Sequence, residues 1–235
     1  MDAHSRREPL VIEQLCVDRD ESAYGFVLRA HDRPPMARQT SAMRVGVYPG
    51  TFNPPTIAHL TIARATMEQR HLDRVVLVLS TRPINKEAVA GPTFENRLSV
   101  LRAVARASGG WLDIAVTEHR LVVDIARGYD VLIMGADKWD QVNDAQYYDH
   151  DPAVRDAAVA DLPELAIARR APFVVPAQHA LDLDDTHERV SSTAARLGVR
   201  AWMCAEAAAF DDRTGAWTDP PRYERWLIDS GRPPV

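Results

Sequence analysis

From Met43 onward the chain repeats one pattern: a short, almost wholly apolar run, then a stretch with helical spacing, then another apolar run. The runs are "RVGVY" (44–48), "RVVLVLS" (74–80), "WLDIAV" (111–116) and "DVLIMG" (130–135), with further strand-like stretches near Ala166 and Val174. Runs without polar alternation read as strands covered on both faces. Between them, residues 56–71 carry Ile57, Leu60, Ala63 and Met67 at helical spacing. Residues 92–107 place Phe94, Leu98, Leu101 and Ala105 on one face behind Thr93 as N-cap. A short helix ends at Arg127, with Gly128 as the residue just past its C-terminus. Strand–helix–strand units in series imply right-handed crossovers. The predicted fold is therefore α/β: a Rossmann-like parallel sheet with helices on both faces. Ligands of such sheets bind at the carboxyl ends of strands, so the loops after Tyr48, Ser80, Met134 and the last strand are where function is expected.

The flanks read differently. Residues 1–42 form an N-terminal extension, predicted as a hairpin plus linker that covers a sheet edge or a homo-oligomer surface. The α/β domain spans 43–203, and 204–235 is a C-terminal tail with a short helix, in which Tyr223, Trp226 and Leu227 share a face. The chain has 235 residues, 46% hydrophobic, with a net charge of -5. That balance excludes a general attraction to nucleic acid or to an anionic membrane, so any bound polyanion must meet a local cluster of donors. The two cysteines, Cys16 and Cys204, make neither a disulfide framework nor a zinc motif. No apolar run reaches the roughly 18 residues of a membrane span, and the start "MDAHSRREPL" lacks a signal-type apolar core, which makes the expectation cytoplasmic.

Two stretches carry chemistry. The first is "VYPGTFNPPTIAHL" (47–60), where glycine and proline break a strand just before a helix. Gly50 lets backbone approach a ligand, and Thr56 is placed to cap the helix. The helix N-terminus suits phosphate, and His59, three residues after Thr56, shares its face and can donate to a phosphoryl oxygen. The second is "RVSSTAAR" (189–196). Ser191, Ser192 and Thr193 offer hydroxyls at a helix start, with the Arg196 guanidinium three residues beyond. Taken singly, the first stretch reads more readily as a capped helix with an ordinary surface or core histidine, and the second reads equally as a capped helix with a solvated arginine or as a phosphate site. The dinucleotide fingerprint G-x-G-x-x-G is absent, which argues against an NAD-binding Rossmann domain.

Together the two stretches resemble the nucleotidylyltransferase superfamily. Its (H/T)-x-G-H motif is matched by Thr56-Ile57-Ala58-His59, and its I-S-S/T-T-x-x-R motif by Val190 to Arg196. Within it the wording is most similar to bacterial nicotinate/nicotinamide mononucleotide adenylyltransferase. "GTFNPPTIAHL", "INKEAVAGPTFENRLSVL" and "VLIMGADKWDQV" follow that family's motifs in order, over roughly residues 43–200. Two departures stand out: Thr56 replaces the first histidine, and Ala58 replaces the glycine.

The resemblance implies transfer of an adenylyl group from ATP to the phosphate of a mononucleotide, releasing pyrophosphate. It implies Mg²⁺ held mainly by substrate phosphates, with no dedicated carboxylate cage. His59 and Thr56 are expected on the ATP phosphates, with Arg196, Thr193, Ser191 and Ser192 on the leaving pyrophosphate, and Lys86 reaching the attacking or transferred phosphate. Gly50, Thr51, Phe52 and Asn53 are expected to face the mononucleotide. Gly135 and Asp137 are expected at a ribose, though Asp137 also reads as a helix N-cap. Trp139 either stacks on a base or packs, and Arg97 is either a helix-surface charge, the reading preferred here, or an anchor behind the residues that touch substrate. Other readings stay open: CTP as donor, phosphopantetheine or another phosphorylated acceptor, or a non-catalytic nucleotide-binding module.

Overall fold

The computed structural model describes residues 43–82 and 91–231. The expected hairpin of residues 1–42 and the side chain of Lys86 lie outside the described residues. Five strands form one parallel sheet: β1 (Val45–Pro49), β2 (Arg74–Ser80), β3 (Leu112–Thr117), β4 (Val131–Gly135) and β5 (Glu164–Ala168). Their order is β3-β2-β1-β4-β5, with β1 pairing in parallel with both β2 and β4. The chain thus winds outward from β1 in one direction and then the other, and a crevice opens beyond the carboxyl ends of β1 and β4.

Side-chain alternation builds two cores, one on each face. On β2, Val75, Leu77 and Leu79 enter one core and Val78 the other. On β4, Val131 and Ile133 separate in the same way from Leu132 and Met134. The first core is covered by α1 (Ile57–Gln69) and α2 (Phe94–Ala107). The second is covered by α3 (Val122–Ile125), α4 (Ala136–Val142) and α5 (Pro152–Ala160). Two short helices, α6 (Thr186–Arg189) and α7 (Ser192–Arg196), follow β5.

Two expectations are corrected here. Residues 173–177 are not a strand: Val174 is 84% exposed. Pro172 and Pro176 deprive this stretch of two ladder donors. The chain bonds to the β5 backbone at residues 179–181, where Ile167 N–H donates to His179 O and Leu181 N–H donates to Ile167 O. The buried face of α2 is also rotated from the apolar stripe, and is made of Asn96, Arg97, Val100, Leu101 and Val104. Arg97 is buried, which overturns its reading as a helix-surface charge and favours the other, an anchor behind the site. Its Nη1–H donates to Thr51 O at 2.9 Å, and Asn96 Nδ2–H donates to the Tyr223 hydroxyl. Distant backbone and side chains supply the partners that let two polar residues face inward.

Beyond Cys204 the chain forms α8 (Ala205–Thr214) and α9 (Pro220–Asp229). Cys204, Ala207, Phe210, Trp217, Tyr223 and Leu227 join the same core as α1 and α2. Tyr223 and Leu227 are the buried residues of α9, and Trp226 stacks on Tyr223 at 5.8 Å.

Candidate active site

A cavity of about 700 Å³ opens at the crevice between β1 and β4. Its floor is the carboxyl ends of these strands, and its sides are the loop 49–56, the first turn of α1, the start of α4 and the segment leading into α7. Both chemistry-bearing stretches therefore meet in one place.

Thr56 is the N-cap of α1, with φ -116° and ψ 165°, and its hydroxyl accepts the His59 N–H at 3.4 Å. The Thr56 N–H reaches the His59 ring at Nδ1, at 3.0 Å, and the Thr56 hydroxyl lies 2.7 Å from the same nitrogen. This is a capping box in which histidine occupies the place usually held by glutamate or glutamine. An amide N–H can only donate, so Nδ1 accepts and the neutral ring carries its proton on Nε2. Phe52 and Tyr48 pack against the imidazole at centroid distances of 5.2 and 6.0 Å. Burial, reinforced by the Arg170 cation and opposed by Asp137, lowers the His59 pKa from 6.5 to about 4. His59 is thus a neutral hydrogen-bond donor at pH 7. Thr56 is buried, and both bonding functions of its hydroxyl are engaged with His59.

Phe52 holds φ at 45°, a conformation that costs a non-glycine residue about 1–2 kcal/mol. Complete burial of its ring offsets that cost. This ring by itself requires glycine at position 50. A Cβ at Gly50 would sit 2.8 Å from a Phe52 ring carbon, and the Gly50 N–H already donates to Val78 O at 3.1 Å. Gly50 lines the cavity, whereas the side chain of Phe52 is buried and builds the loop. Gly135 is different. It is the N-cap of α4, and a Cβ there would lie 2.6 Å from Asp137 Oδ1, so a side chain would displace that carboxylate. The N-cap reading of Asp137 is corrected as well, because Asp137 lies in the first turn of α4, exposed at the cavity.

Trp139 does not reach the cavity. Asp137, Lys138 and Gln141 line it, and Trp139 falls on the opposite side of α4, with its ring 6.3 Å from that of His179. Two residues along a helix turn about 200°, which takes position 139 away from position 137.

At the other wall, Ser191 is the N-cap of α7 and accepts from Ala194 N–H at 3.1 Å. The Ser192 hydroxyl donates to Pro54 O at 2.8 Å. Arg196 donates through Nη1 to Asn53 O and through Nη2 to the Thr193 hydroxyl at 3.3 Å. The second stretch is therefore bonded to the first, and Thr193 stands exposed at the cavity.

Residues missed by the sequence reading complete the site. Arg170, just past β5, donates to Val190 O at 2.9 Å and lies 3.9 Å from Asp137 Oδ1. Its place beyond a strand's carboxyl end was the available signal. Lys138 also lines the cavity, its pKa lowered by burial and partly restored by Asp137. His187 lines it too, and its Nε2 is buried without a hydrogen-bond partner among the described residues. Among the described residues there is no cluster of three or more His, Cys, Asp or Glu able to hold a metal ion, and no helix long and apolar enough to cross a membrane.

Comparison with known families decides the wider grouping: the cytidylyltransferase-like family model matches residues 47–198, well over half of the chain. The chain belongs to the cytidylyltransferase-like family. A probable nicotinate-nucleotide adenylyltransferase of Geobacter sp. (strain M21) is 44% identical over 68 residues, which are 28% of this chain and 32% of the relative. A phosphopantetheine adenylyltransferase of Dinoroseobacter shibae is 35% identical over 100 residues, 40% of this chain and 54% of the relative. The chain thus spans about a third to a half of the length of these relatives. A solved structure, Plasmodium falciparum nicotinic acid mononucleotide adenylyltransferase complexed with NaAD, superposes with a TM-score of 0.51 at 12% identity, covering 73% of this chain and 95% of that one. This likeness confirms the family's fold: a parallel five-stranded sheet with helices on both faces. Membership also accounts for the order of the motifs along the chain, since both walls of the cavity fall within the matched segment.

Proposed function

We propose that this chain transfers an adenylyl group from ATP to the phosphate of a small acceptor, with nicotinate or nicotinamide mononucleotide as the first candidates. The observation that carries the reading is the joining of His59 and the Ser191–Arg196 segment across one cavity, bonded through Ser192 to Pro54 and Arg196 to Asn53. In the reaction an acceptor phosphate oxygen bonds to the α-phosphorus of ATP. The bond from that phosphorus to the bridging oxygen breaks, and pyrophosphate leaves with the electron pair. Little covalent help is needed. Catalysis rests on holding two anions in line and neutralising charge on the transferring group.

The neutral His59 ring donates from Nε2–H to a phosphoryl oxygen and needs no protonation change during turnover. Thr56 sets the tautomer and orientation of that ring, acting through it. Arg196 and Thr193 hold the β and γ phosphates, and Arg170 adds positive charge at the end of β5. Asp137 accepts from ribose hydroxyls. Lys86 is assigned to the acceptor phosphate on motif order alone. Mg²⁺ would be held mainly by the substrate's phosphates and would supply charge neutralisation there. The acidic Asp137 at the cavity wall is compatible with it, and the donors above suit a triphosphate.

Phosphopantetheine is the second acceptor to test, because the Dinoroseobacter relative matches over the longer stretch. The test is a panel of ATP and CTP with nicotinate mononucleotide, nicotinamide mononucleotide and phosphopantetheine in the presence of Mg²⁺, scored by pyrophosphate release and by product mass. Turnover that His59→Ala lowers by about 10²- to 10³-fold supports the proposal. ATP binding without pyrophosphate from any pair would make the chain a nucleotide-binding module instead.

A further inference from the structure

The loop 50–56 is gripped along its length by parts of the chain remote in sequence. Thr51 O accepts from Arg97, Asn53 O from Arg196, Pro54 O from Ser192 at 2.8 Å and Pro55 O from Cys204 N–H at 3.1 Å. One grip involves a side chain of the loop: Trp217 Nε1–H donates to Asn53 Oδ1 at 2.7 Å, with both residues buried. Trp217 lies beyond residue 198, outside the segment the family shares.

Trp217 is itself held rigidly. Its backbone N–H donates to Asp211 Oδ1 at 2.7 Å, and Asp211 also accepts from Thr218 N–H at 3.2 Å and from the Thr218 hydroxyl at 2.6 Å. Its ring packs edge-on against Phe210 at 5.8 Å, and Phe210 in turn meets Trp226 at 5.7 Å. The indole can therefore present its N–H in only one place. An indole nitrogen is a donor with no acceptor function, so this bond also fixes which way the Asn53 amide faces.

We infer that Trp217 is a positioning residue of the active site: it anchors Asn53 and so fixes the loop that leads through Thr56 into the first turn of α1, where His59 lies, which makes the C-terminal helical pair a part of the catalytic apparatus. The chain of contacts is continuous. Trp217 holds the Asn53 side chain, Arg196 holds the Asn53 carbonyl, and Asn53 lies three residues before the Thr56 cap that orients His59. A filler of the core would need the ring of Trp217 and not its N–H. A positioning residue needs the N–H. In its catalytic consequence the inference rests on the adenylyl-transfer reading; in its structural part it does not.

The test separates the ring from its N–H. Trp217→Phe removes the donor and part of the volume. Site-specific replacement by benzothienylalanine, in which sulfur stands for the N–H, removes the donor and keeps the volume, so it serves even where the phenylalanine variant folds poorly. Three readouts are taken on the full chain: amide hydrogen exchange of residues 50–56, ATP binding by calorimetry, and kcat with the best acceptor of the panel. Faster exchange in that loop by about tenfold, the scale of one lost neutral hydrogen bond, is expected for both variants. So is a kcat lowered by about tenfold in the folded fraction, with ATP affinity changed less. Unchanged exchange at 50–56 in the benzothienylalanine protein overturns the inference, whether or not the enzyme turns over. So does a kcat that falls only in proportion to unfolded protein. If the parent chain turns over no acceptor, the activity reading fails by itself, while exchange and ATP binding still decide the role of Trp217.

Discussion

Thr56→Val separates two roles for the hydroxyl where the family motif carries histidine or threonine. Valine keeps the shape of a residue that is 1% exposed, so no cavity term arises. What is lost is the cap to His59 N–H and the contact to Nδ1. At 3.4 Å the cap is long, which puts it at the low end of the N-cap range, about 0.5 kcal/mol. The 2.7 Å contact contributes about 0.5–1.5 kcal/mol, as a typical net hydrogen bond does. The sum, about 1–2 kcal/mol, lowers the melting temperature by about 2–8 °C in a domain of this size. The effect on chemistry is smaller than for the histidine itself. The Thr56 N–H still reaches Nδ1 at 3.0 Å, so the tautomer and most of the ring's orientation survive. We expect a kcat loss under about tenfold, against about 10²- to 10³-fold for His59→Ala. Steady-state kinetics with ATP and the best acceptor, beside a thermal melt, reads both quantities. A loss of a hundredfold or more with a raised KM for ATP and an unchanged melting temperature would refute the reasoning. The hydroxyl would then be touching phosphate directly.

Two more outcomes follow from the same geometry. His59 has its folded pKa lowered to about 4 from 6.5, so the unfolded chain takes up this proton first. Stability contributed by the neutral ring is full above pH 6.5 and lost as pH falls toward 4. His59→Gln flattens that part of a stability-against-pH curve, and the pH profile of kcat carries no His59 inflection between pH 6 and 8. An inflection near 6.5 that disappears in the variant would disprove the neutral-donor role. Ala58, at the second helical position of α1 and lining the cavity, stands where the resembling families have glycine. Ala58→Gly is expected to tighten ATP binding modestly while lowering the melting temperature by a few degrees, since glycine costs a helix about 1 kcal/mol relative to alanine. Calorimetry on both forms decides it, and equal or weaker ATP binding shows that this methyl does not limit the nucleotide.

Much of the scaffold was legible because it rests on local rules. The β2 run of residues 74–80 matches the strand, Thr56 and Thr93 cap the helices that follow them, and the two-faced apolar strands demand the double helical cover that is found. The motifs in 47–60 and 189–196 were legible too, since hydroxyls and cations at helix starts are written in the sequence itself. Tertiary structure decided what those residues touch. Nothing near Arg97 announces a carbonyl at Thr51, so an arginine in a helix reads as a surface charge until the loop folds over it. Trp139 misses the cavity by a rotation of its helix, which depends on how α4 packs and not on composition. Gly50 reads as room for a ligand, and only the left-handed Phe52 shows that a ring from the chain's own core also requires a glycine there. The hold of Trp217 on Asn53 spans 164 residues. Such a bond has no periodicity and no spacing, because it exists only once the sheet, the loop and the C-terminal helices share one core.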